Sequence, residues 1–175
     1  MVAASVFDFA AAVPLTIYTG VLSARLRLLG ITRGAATVAL AAGTLAAAAT
    51  VFSALVTWVI SRPEVREQAT LVGALHDLSF VSGGVAFAVF LGVMIAPMAA
   101  AGRGTGVLTR PVGLLGLALG GLAMVSSLGL VWSPFFYLLP IGRFGGLIWL
   151  TYVGFRLPHS RPRRTAPAPS PAHND

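Results

Sequence analysis

Cysteine and lysine are both missing from the 175 residues of the chain. Without cysteine, the protein can form no disulfide, thiolate nucleophile, cysteine-ligated zinc site or iron–sulfur cluster. Without lysine, it cannot build the phosphate-binding glycine loop that ends in a lysine. These two absences exclude several common classes of enzyme and of structural metal site.

Charge is also scarce in this chain. Charged residues make up 10% of it, apolar residues make up 57%, and the mean hydropathy is +0.87. A soluble domain usually carries about a quarter charged residues, so a globular fold of this composition would expose large apolar patches to water. A lipid bilayer removes that conflict, and helices satisfy their own backbone hydrogen bonds there. The composition therefore predicts an all-α integral membrane protein whose first partner is the lipid bilayer.

The chain has twelve basic residues, all arginine, and five acidic residues, which gives a formal net charge of +7. They do not form the basic stripe interleaved with aromatic residues that is typical of nucleic-acid-binding proteins. We therefore predict no nucleic-acid partner. The arginines lie instead in short segments between apolar runs, which is the pattern of topology signals in membrane proteins.

The apolar runs have the length of membrane spans. A helix needs about 20 apolar residues to cross the hydrocarbon core, and the runs at residues 3–23, 35–60 and 70–101 meet that requirement. The last run, residues 112–157, is too long for one span. Pro134 divides it, because proline disfavours helical geometry in the preceding residue and lacks a backbone donor. The division gives spans at residues 112–131 and 134–155, and so five spans in all.

The predicted organisation is a transmembrane helical bundle over residues 1–157 and a tail over residues 158–175. The tail is rich in proline and arginine and has no apolar period, which is typical of disordered segments. The first apolar run lacks the positively charged start of a signal peptide, so we expect it to be retained as a span.

The arginines also predict the orientation of the bundle. If the N-terminus lies outside, nine arginines fall on the inner side and two, Arg62 and Arg66, on the outer side. The positive-inside rule therefore predicts an outer N-terminus and a cytoplasmic C-terminal tail. The nine inner residues are Arg25, Arg27, Arg33, Arg103, Arg110, Arg156, Arg161, Arg163 and Arg164.

Three segments resemble a family of multi-span membrane proteins from high-GC bacteria, close to the domain-of-unknown-function family 4386. The segment LSARLRLLG at residues 22–30 resembles the basic turn after an early span. The segment ALHDLSF at residues 74–80 resembles the polar opening of a later span, and GVLTRPVGLLG at residues 106–116 resembles the inner loop. In that loop Arg110 and Pro111 stand in the reverse of the family's order.

The resemblance implies a bacterial inner membrane, that is, the plasma membrane, as the location of the protein. Family members tend to have six spans, which implies that a first span is missing here. Either the chain is shorter than its relatives, or its start lies upstream of Met1. No activity, cofactor or partner follows from the resemblance.

Four ionisable residues lie inside the predicted spans: Asp8, His76, Asp77 and Arg143. A charge at membrane depth is costly and is usually paired or functional. At about 1.5 Å per residue, Asp8 lies about 7 Å from the outer end, Asp77 about 10 Å and Arg143 about 13 Å. We therefore predict a polar cluster in the outer half of the bundle, in which Arg143 pairs with Asp77, Asp8 or both.

Three interpretations of this cluster remain open at the level of the sequence. An arginine–aspartate pair can simply fix the register of neighbouring helices. A carboxylate near a histidine can handle protons or a ligand. The side chains can also extend to the interface without touching one another. Hydroxyl partners at the same level are Thr57, Ser126, Ser127 and Tyr137.

Two pairs of glycines, Gly116 with Gly120 and Gly142 with Gly146, have the spacing that lets helices approach closely. Such pairs serve either to pack helices within one chain or to form a homodimer. A homo-oligomer or a larger membrane complex is therefore an open prediction, and helix contacts within one chain are the more common use.

No known catalytic motif stands out in the spans or the loops. The metalloprotease helix, the nucleophile elbow and a cluster of acids suited to magnesium are all missing. We therefore predict a non-catalytic accessory or interaction protein without a cofactor or a metal. The alternative is a small-solute or proton-linked transporter with its site at Asp77, His76 and Arg143.

Overall fold

The computed structural model of the chain describes residues 2–30 and 32–156. Regular secondary structure in this part is entirely helical. Within it, the helices long and apolar enough to cross a membrane are Ser5–Leu28, Arg33–Ile60, Ala69–Gly104, Arg110–Leu130 and Ser133–Arg156. The prediction of an all-helical chain with five such helices is confirmed. The predicted tail at residues 158–175 lies outside the described residues.

Some of these spans are composed of more than one helical element. The third span changes from α-helix to a π-helical turn and back, the fourth span ends in a 3-10 turn, and the fifth begins with one. The α-helices of the described residues are α1 (Val2–Leu28), α2 (Arg33–Ile60), α3 (Pro63–Arg66), α4 (Ala69–Phe80), α5 (Phe87–Gly104), α6 (Arg110–Val125) and α7 (Leu138–Arg156). The π-helical turn is Val81–Ala86, and the 3-10 turns are Ser126–Leu130 and Ser133–Tyr137.

The helix ends have local causes in the sequence. Gly106 follows α5 with a φ of 72°, a left-handed conformation that glycine adopts without strain. Pro111 stands in the first turn of α6, where a missing N–H breaks no helical hydrogen bond. The break predicted between the last two spans is also present, since Trp132 is extended (φ −138°, ψ 109°) and Pro134 opens the turn that follows.

Helices α2 and α5 form the centre of the bundle. Helix α1 packs on α2, α6 packs on α5, and α7 packs on α5 and α6. Side chains of α5 with almost no exposure fill the core, and small alanines of α2 face them. Since lipid is as apolar as these side chains, close contact between helices stabilises the bundle more than removal from water does. The α5 core residues are Leu91, Met94, Ile95 and Met98.

Glycines allow two close helix crossings. A Cβ atom added at Gly92 of α5 would lie 2.6 Å from the carbonyl oxygen of Gly120 on α6. A Cβ atom added at Gly142 of α7 would lie 2.8 Å from the Cα of Ala123 on α6. Neither site has room for a larger residue unless the backbones move apart. Gly120 and Gly142, one from each predicted glycine pair, are therefore used for contacts within the chain.

The other members of those pairs are used in the same way. Gly116 lies under the ring of Trp149, and the Nε1–H of Trp149 donates a hydrogen bond to the Val112 carbonyl at 2.8 Å. A Cβ atom at Gly146 would lie 2.9 Å from the side chain of Ile95. The glycines thus leave the space that lets α7 pack closely against α5 and α6.

Candidate functional site

One end of the bundle contains a cleft with a volume of about 350 Å³ between α1, α2, α4 with its π-helical turn, and α7. This is the end where α1, α4 and α7 begin and α2 ends. We call it the polar cleft, because most of the side chains that line it are polar. Those polar side chains belong to Asp8, Thr50, Ser53, Thr57, His76, Ser79 and Arg143.

Arg143 is the half-buried cation of the polar cleft. Its Nη1–H donates a hydrogen bond to the Gly83 carbonyl oxygen at 3.0 Å. Its guanidinium carbon lies 4.7 Å from the centre of the Phe87 ring, within the range of a cation–π interaction. Arg143 therefore connects α7 to the third span at the π-helical turn.

The π-helical turn explains why a carbonyl is available there. The Phe87 N–H bonds to the carbonyls of Ser82 and Gly84 and passes over that of Gly83, its acceptor in a regular α-helix. A carbonyl without a partner inside the bilayer would be costly, and Arg143 supplies the donor. Glycine fits at this position because a Cβ atom would overlap the side chain of Ser53 on α2. The π-helical turn, Gly83 and Arg143 thus form one structural unit.

A set of hydroxyls fixes α2 to α4 beside that unit. Ser79 Oγ lies 2.9 Å from Ser53 Oγ and 2.9 Å from Thr57 Oγ1. Ser53 Oγ also lies 2.9 Å from the Ser79 carbonyl oxygen. The sequence interpretation included Thr57 but missed Ser53, Ser79 and Thr50. The signal for Ser53 was its i, i+4 spacing to Thr57, which places both side chains on one face of α2.

Asp8 and His76 line the polar cleft with Arg143, and both are exposed. The negative charge of Asp8 is close enough to attract the Arg143 guanidinium. The hydrogen bond of Arg143, however, goes to the Gly83 carbonyl and not, as predicted from the sequence, to a carboxylate. Asp77 does not line the polar cleft, because consecutive helical residues project about 100° apart. The structure therefore brings together three of the four predicted ionisable residues.

The other predicted hydroxyl partners lie elsewhere. Ser126 has an exposed fraction of 0% and donates to the Ala123 carbonyl at 2.7 Å, and Ser127 donates to the Met124 carbonyl at 2.7 Å. The side chain of Tyr137 is 83% exposed. These three residues do not line the polar cleft.

The polar cleft offers a guanidinium, a carboxylate, an imidazole and four hydroxyls. The guanidinium has five N–H donors, and one of them goes to Gly83. No cluster of three or more histidine, cysteine, aspartate or glutamate residues suited to a metal ion occurs in the part of the chain that the structure describes. The arrangement can therefore donate hydrogen bonds to a small polar molecule and accept hydrogen bonds from it.

No family model, no curated protein and no solved structure matches the chain. Its class is defined by the fold of residues 2–30 and 32–156, a helical bundle with five helices long and apolar enough to cross a membrane.

Proposed function

We propose that the protein binds a small polar solute in the polar cleft and carries it across the bilayer, alone or together with a proton. The observation that carries this proposal is the convergence of Asp8, His76 and Arg143, from three different helices, on one cleft. Ionisable groups at membrane depth are costly. A chain that only fills space in a larger assembly has no need to collect them around a cleft.

A distortion of the third span supports a functional site in particular. π-helical turns inside α-helices occur frequently at functional sites. Here the π-helical turn Val81–Ala86 lies beside the polar cleft, within the continuous helix Ala69–Gly104. Prolines inside α1 and α5, at Pro14 and Pro97, add further points where a helix can bend.

The side chains suggest separate roles within the polar cleft. The remaining N–H groups of Arg143 would hold a carboxylate or carbonyl oxygen of the solute, since a guanidinium is a strong donor to such groups. Asp8 and His76 would take and release the coupled proton. The volume of about 350 Å³ limits the solute to a small molecule.

The test is a screen of three solute classes: small monocarboxylates, amino acids and neutral polyols. We expect one class to raise the Tm of the purified protein, because a ligand at 100 times its Kd stabilises the folded state by about 2.7 kcal/mol. The same class should enter proteoliposomes faster than protein-free liposomes, with a pH change reported by an entrapped dye if a proton is coupled.

Asp77 provides the matched control, since it has the same chemistry as Asp8 and lies at the same end of the bundle but outside the polar cleft. Asp8→Asn should slow solute-dependent proton flux, and Asp77→Asn should leave it unchanged. If no class shifts the Tm and the fluxes equal those of protein-free liposomes, the carrier proposal fails. The accessory or interaction protein, the first hypothesis from the sequence, would then be preferred.

We further propose that the protein lies in a bacterial inner membrane with its N-terminus outside, and that it is related to the domain-of-unknown-function family 4386. The arginine distribution and the segments at residues 22–30 and 106–116 support this. One end of the bundle carries six of the nine described arginines, the polar-cleft end carries Arg62 and Arg66 in the connection between spans, and Arg143 lies within the fifth span. The six are Arg25, Arg27, Arg33, Arg103, Arg110 and Arg156.

The orientation predicts which positions a membrane-impermeant maleimide can reach. The chain has no cysteine, so Glu64→Cys and Thr105→Cys, both at exposed positions at opposite ends of the bundle, introduce unique thiols. In intact cells Glu64→Cys should be labelled, and Thr105→Cys should react only after the membrane is permeabilised. The reverse pattern would contradict the proposed orientation.

A further inference from the structure

At the end of the bundle opposite the polar cleft, a cavity of about 530 Å³ lies where α5 ends and α6 begins. We call it the arginine cavity, because its two charged lining residues are Arg103 in the last turn of α5 and Arg110 at the start of α6. Its remaining lining residues are Ala100, Gly104 and Leu108, none of which is acidic.

Arg103 and Arg110 supply the two guanidinium groups of the arginine cavity. Among the described residues, neither Arg103 nor Arg110 forms a side-chain hydrogen bond or an ion pair. Two like charges near a bilayer surface repel each other more strongly than in water, since the surrounding dielectric constant is lower. An anion between them would remove that repulsion and would accept hydrogen bonds from both.

The side chain of Arg103 is held in a defined position. Its stem crosses the first turn of α6 at Gly113, where an added Cβ atom would overlap Cγ and Cδ of Arg103. Gly113 is buried, so a larger residue there would displace the arginine. A guanidinium whose stem is already fixed loses less freedom when it binds a ligand.

The start of α6 adds positive potential to the arginine cavity. Thr109 precedes the helix and makes no capping hydrogen bond with its side chain, and Pro111 has no N–H. The first turn of a helix has backbone N–H groups without helical partners and carries the positive end of the helix dipole. This contribution supplements the two arginines and has the same sign.

We infer that the arginine cavity binds a phosphate group. Paired guanidinium groups suit phosphate because their planar N–H groups match its oxygens. The cavity lies at the ends of two spans, at the depth where phospholipid headgroups are found, and basic pockets between spans bind anionic headgroups. The phosphate comes either from such a headgroup or from a free phosphate ion. This inference is independent of the solute proposed for the polar cleft.

The experiment measures the Tm of the detergent-solubilised full-length protein during titration with short-chain phosphatidylglycerol, short-chain phosphatidylcholine or inorganic phosphate. We expect phosphatidylglycerol to raise the Tm at the lowest concentration. Phosphatidylcholine should act more weakly, because its choline cation is repelled by the arginines. If inorganic phosphate raises the Tm as effectively as phosphatidylglycerol, the site is one for free phosphate. If none of the three raises it, the inference is wrong.

Substitutions test whether the binding belongs to the arginine cavity. Arg103→Gln with Arg110→Gln should weaken the binding of phosphatidylglycerol at least tenfold. Arg103→Lys keeps the charge but loses the planar group, and should weaken it severalfold. Arg33→Gln removes one charge at the same end of the bundle, outside the cavity, and should change it less than twofold. If Arg33→Gln weakens binding as much as the double variant does, and Arg103→Lys does not weaken it, general charge attraction explains the binding and the inference is overturned.

Discussion

Arg143→Gln is expected to lower solute binding and uptake at least about tenfold while the helical bundle remains folded. The variant removes the only arginine that lines the polar cleft among the described residues, and a hydrogen bond to a charged group contributes about 1.5–3 kcal/mol. Since about 1.4 kcal/mol corresponds to a factor of ten in affinity, a tenfold loss of affinity is the smallest loss that we expect. The measurement is the Kd and the uptake rate of the solute class that stabilises the unsubstituted protein.

Two further variants separate binding from folding. Arg143→Lys retains the charge and should recover part of the binding, because a lysine ammonium can still contact an anionic group but cannot form a bidentate contact. Arg156→Gln removes an arginine from the other end of α7, outside the polar cleft, and should bind solute normally. If Arg143→Gln binds solute as tightly as the unsubstituted protein, Arg143 serves only to bridge α7 and Gly83.

The number of spans and the common level of the polar residues could be predicted from the sequence. Apolar run length fixed the first three spans, and Pro134 divided the last run where the structure leaves helical geometry at Trp132. Asp8 lies near the start of the first span and Arg143 in the first half of the fifth, and these two spans run in the same direction. The rise per residue therefore places both residues at a similar depth.

The partner of Arg143 could not be predicted in this way. Opposite charge was the criterion for a partner, and a backbone carbonyl has no signature in a sequence. The Gly83 carbonyl is available because the hydrogen bond of Phe87 shifts by one residue within the π-helical turn. At the same residue, the absence of a side chain on Gly83 leaves space for Ser53 of α2, which is a contact that the sequence alone does not reveal.

The prediction that Ser126, Ser127 and Tyr137 supply hydroxyls to the polar cluster fails for a different reason. The rise per residue gives the depth of a side chain along a span but not its direction around the helix axis. Both serines lie in the 3-10 turn Ser126–Leu130, and Tyr137 ends the turn Ser133–Tyr137. A 3-10 turn advances about 120° per residue instead of about 100°, so the directions of these side chains depart from those of a continuous α-helix.

The two proposed sites lie at opposite ends of the third span. Its start, α4 with the π-helical turn, lines the polar cleft, and its end, the last turn of α5, carries Arg103 of the arginine cavity. The middle of this span is the core of the bundle and includes Leu91 and Ile95. Both sites therefore depend on the contacts that hold α5 in place.

Gly92→Ala is expected to lower the free energy of unfolding by about 2–3 kcal/mol, at the upper end of the usual cost of adding volume to a close contact. The new Cβ atom would lie 2.6 Å from the Gly120 carbonyl oxygen and 3.2 Å from Ala123 Cβ, so α5 and α6 would have to separate. Gly121→Ala is the matched control on α6, because a Cβ atom there has no atom within 4 Å. It should change the stability by less than about 0.5 kcal/mol. Unfolding in mixed micelles with increasing denaturing detergent measures both, and equal stabilities would contradict the close crossing of α5 and α6.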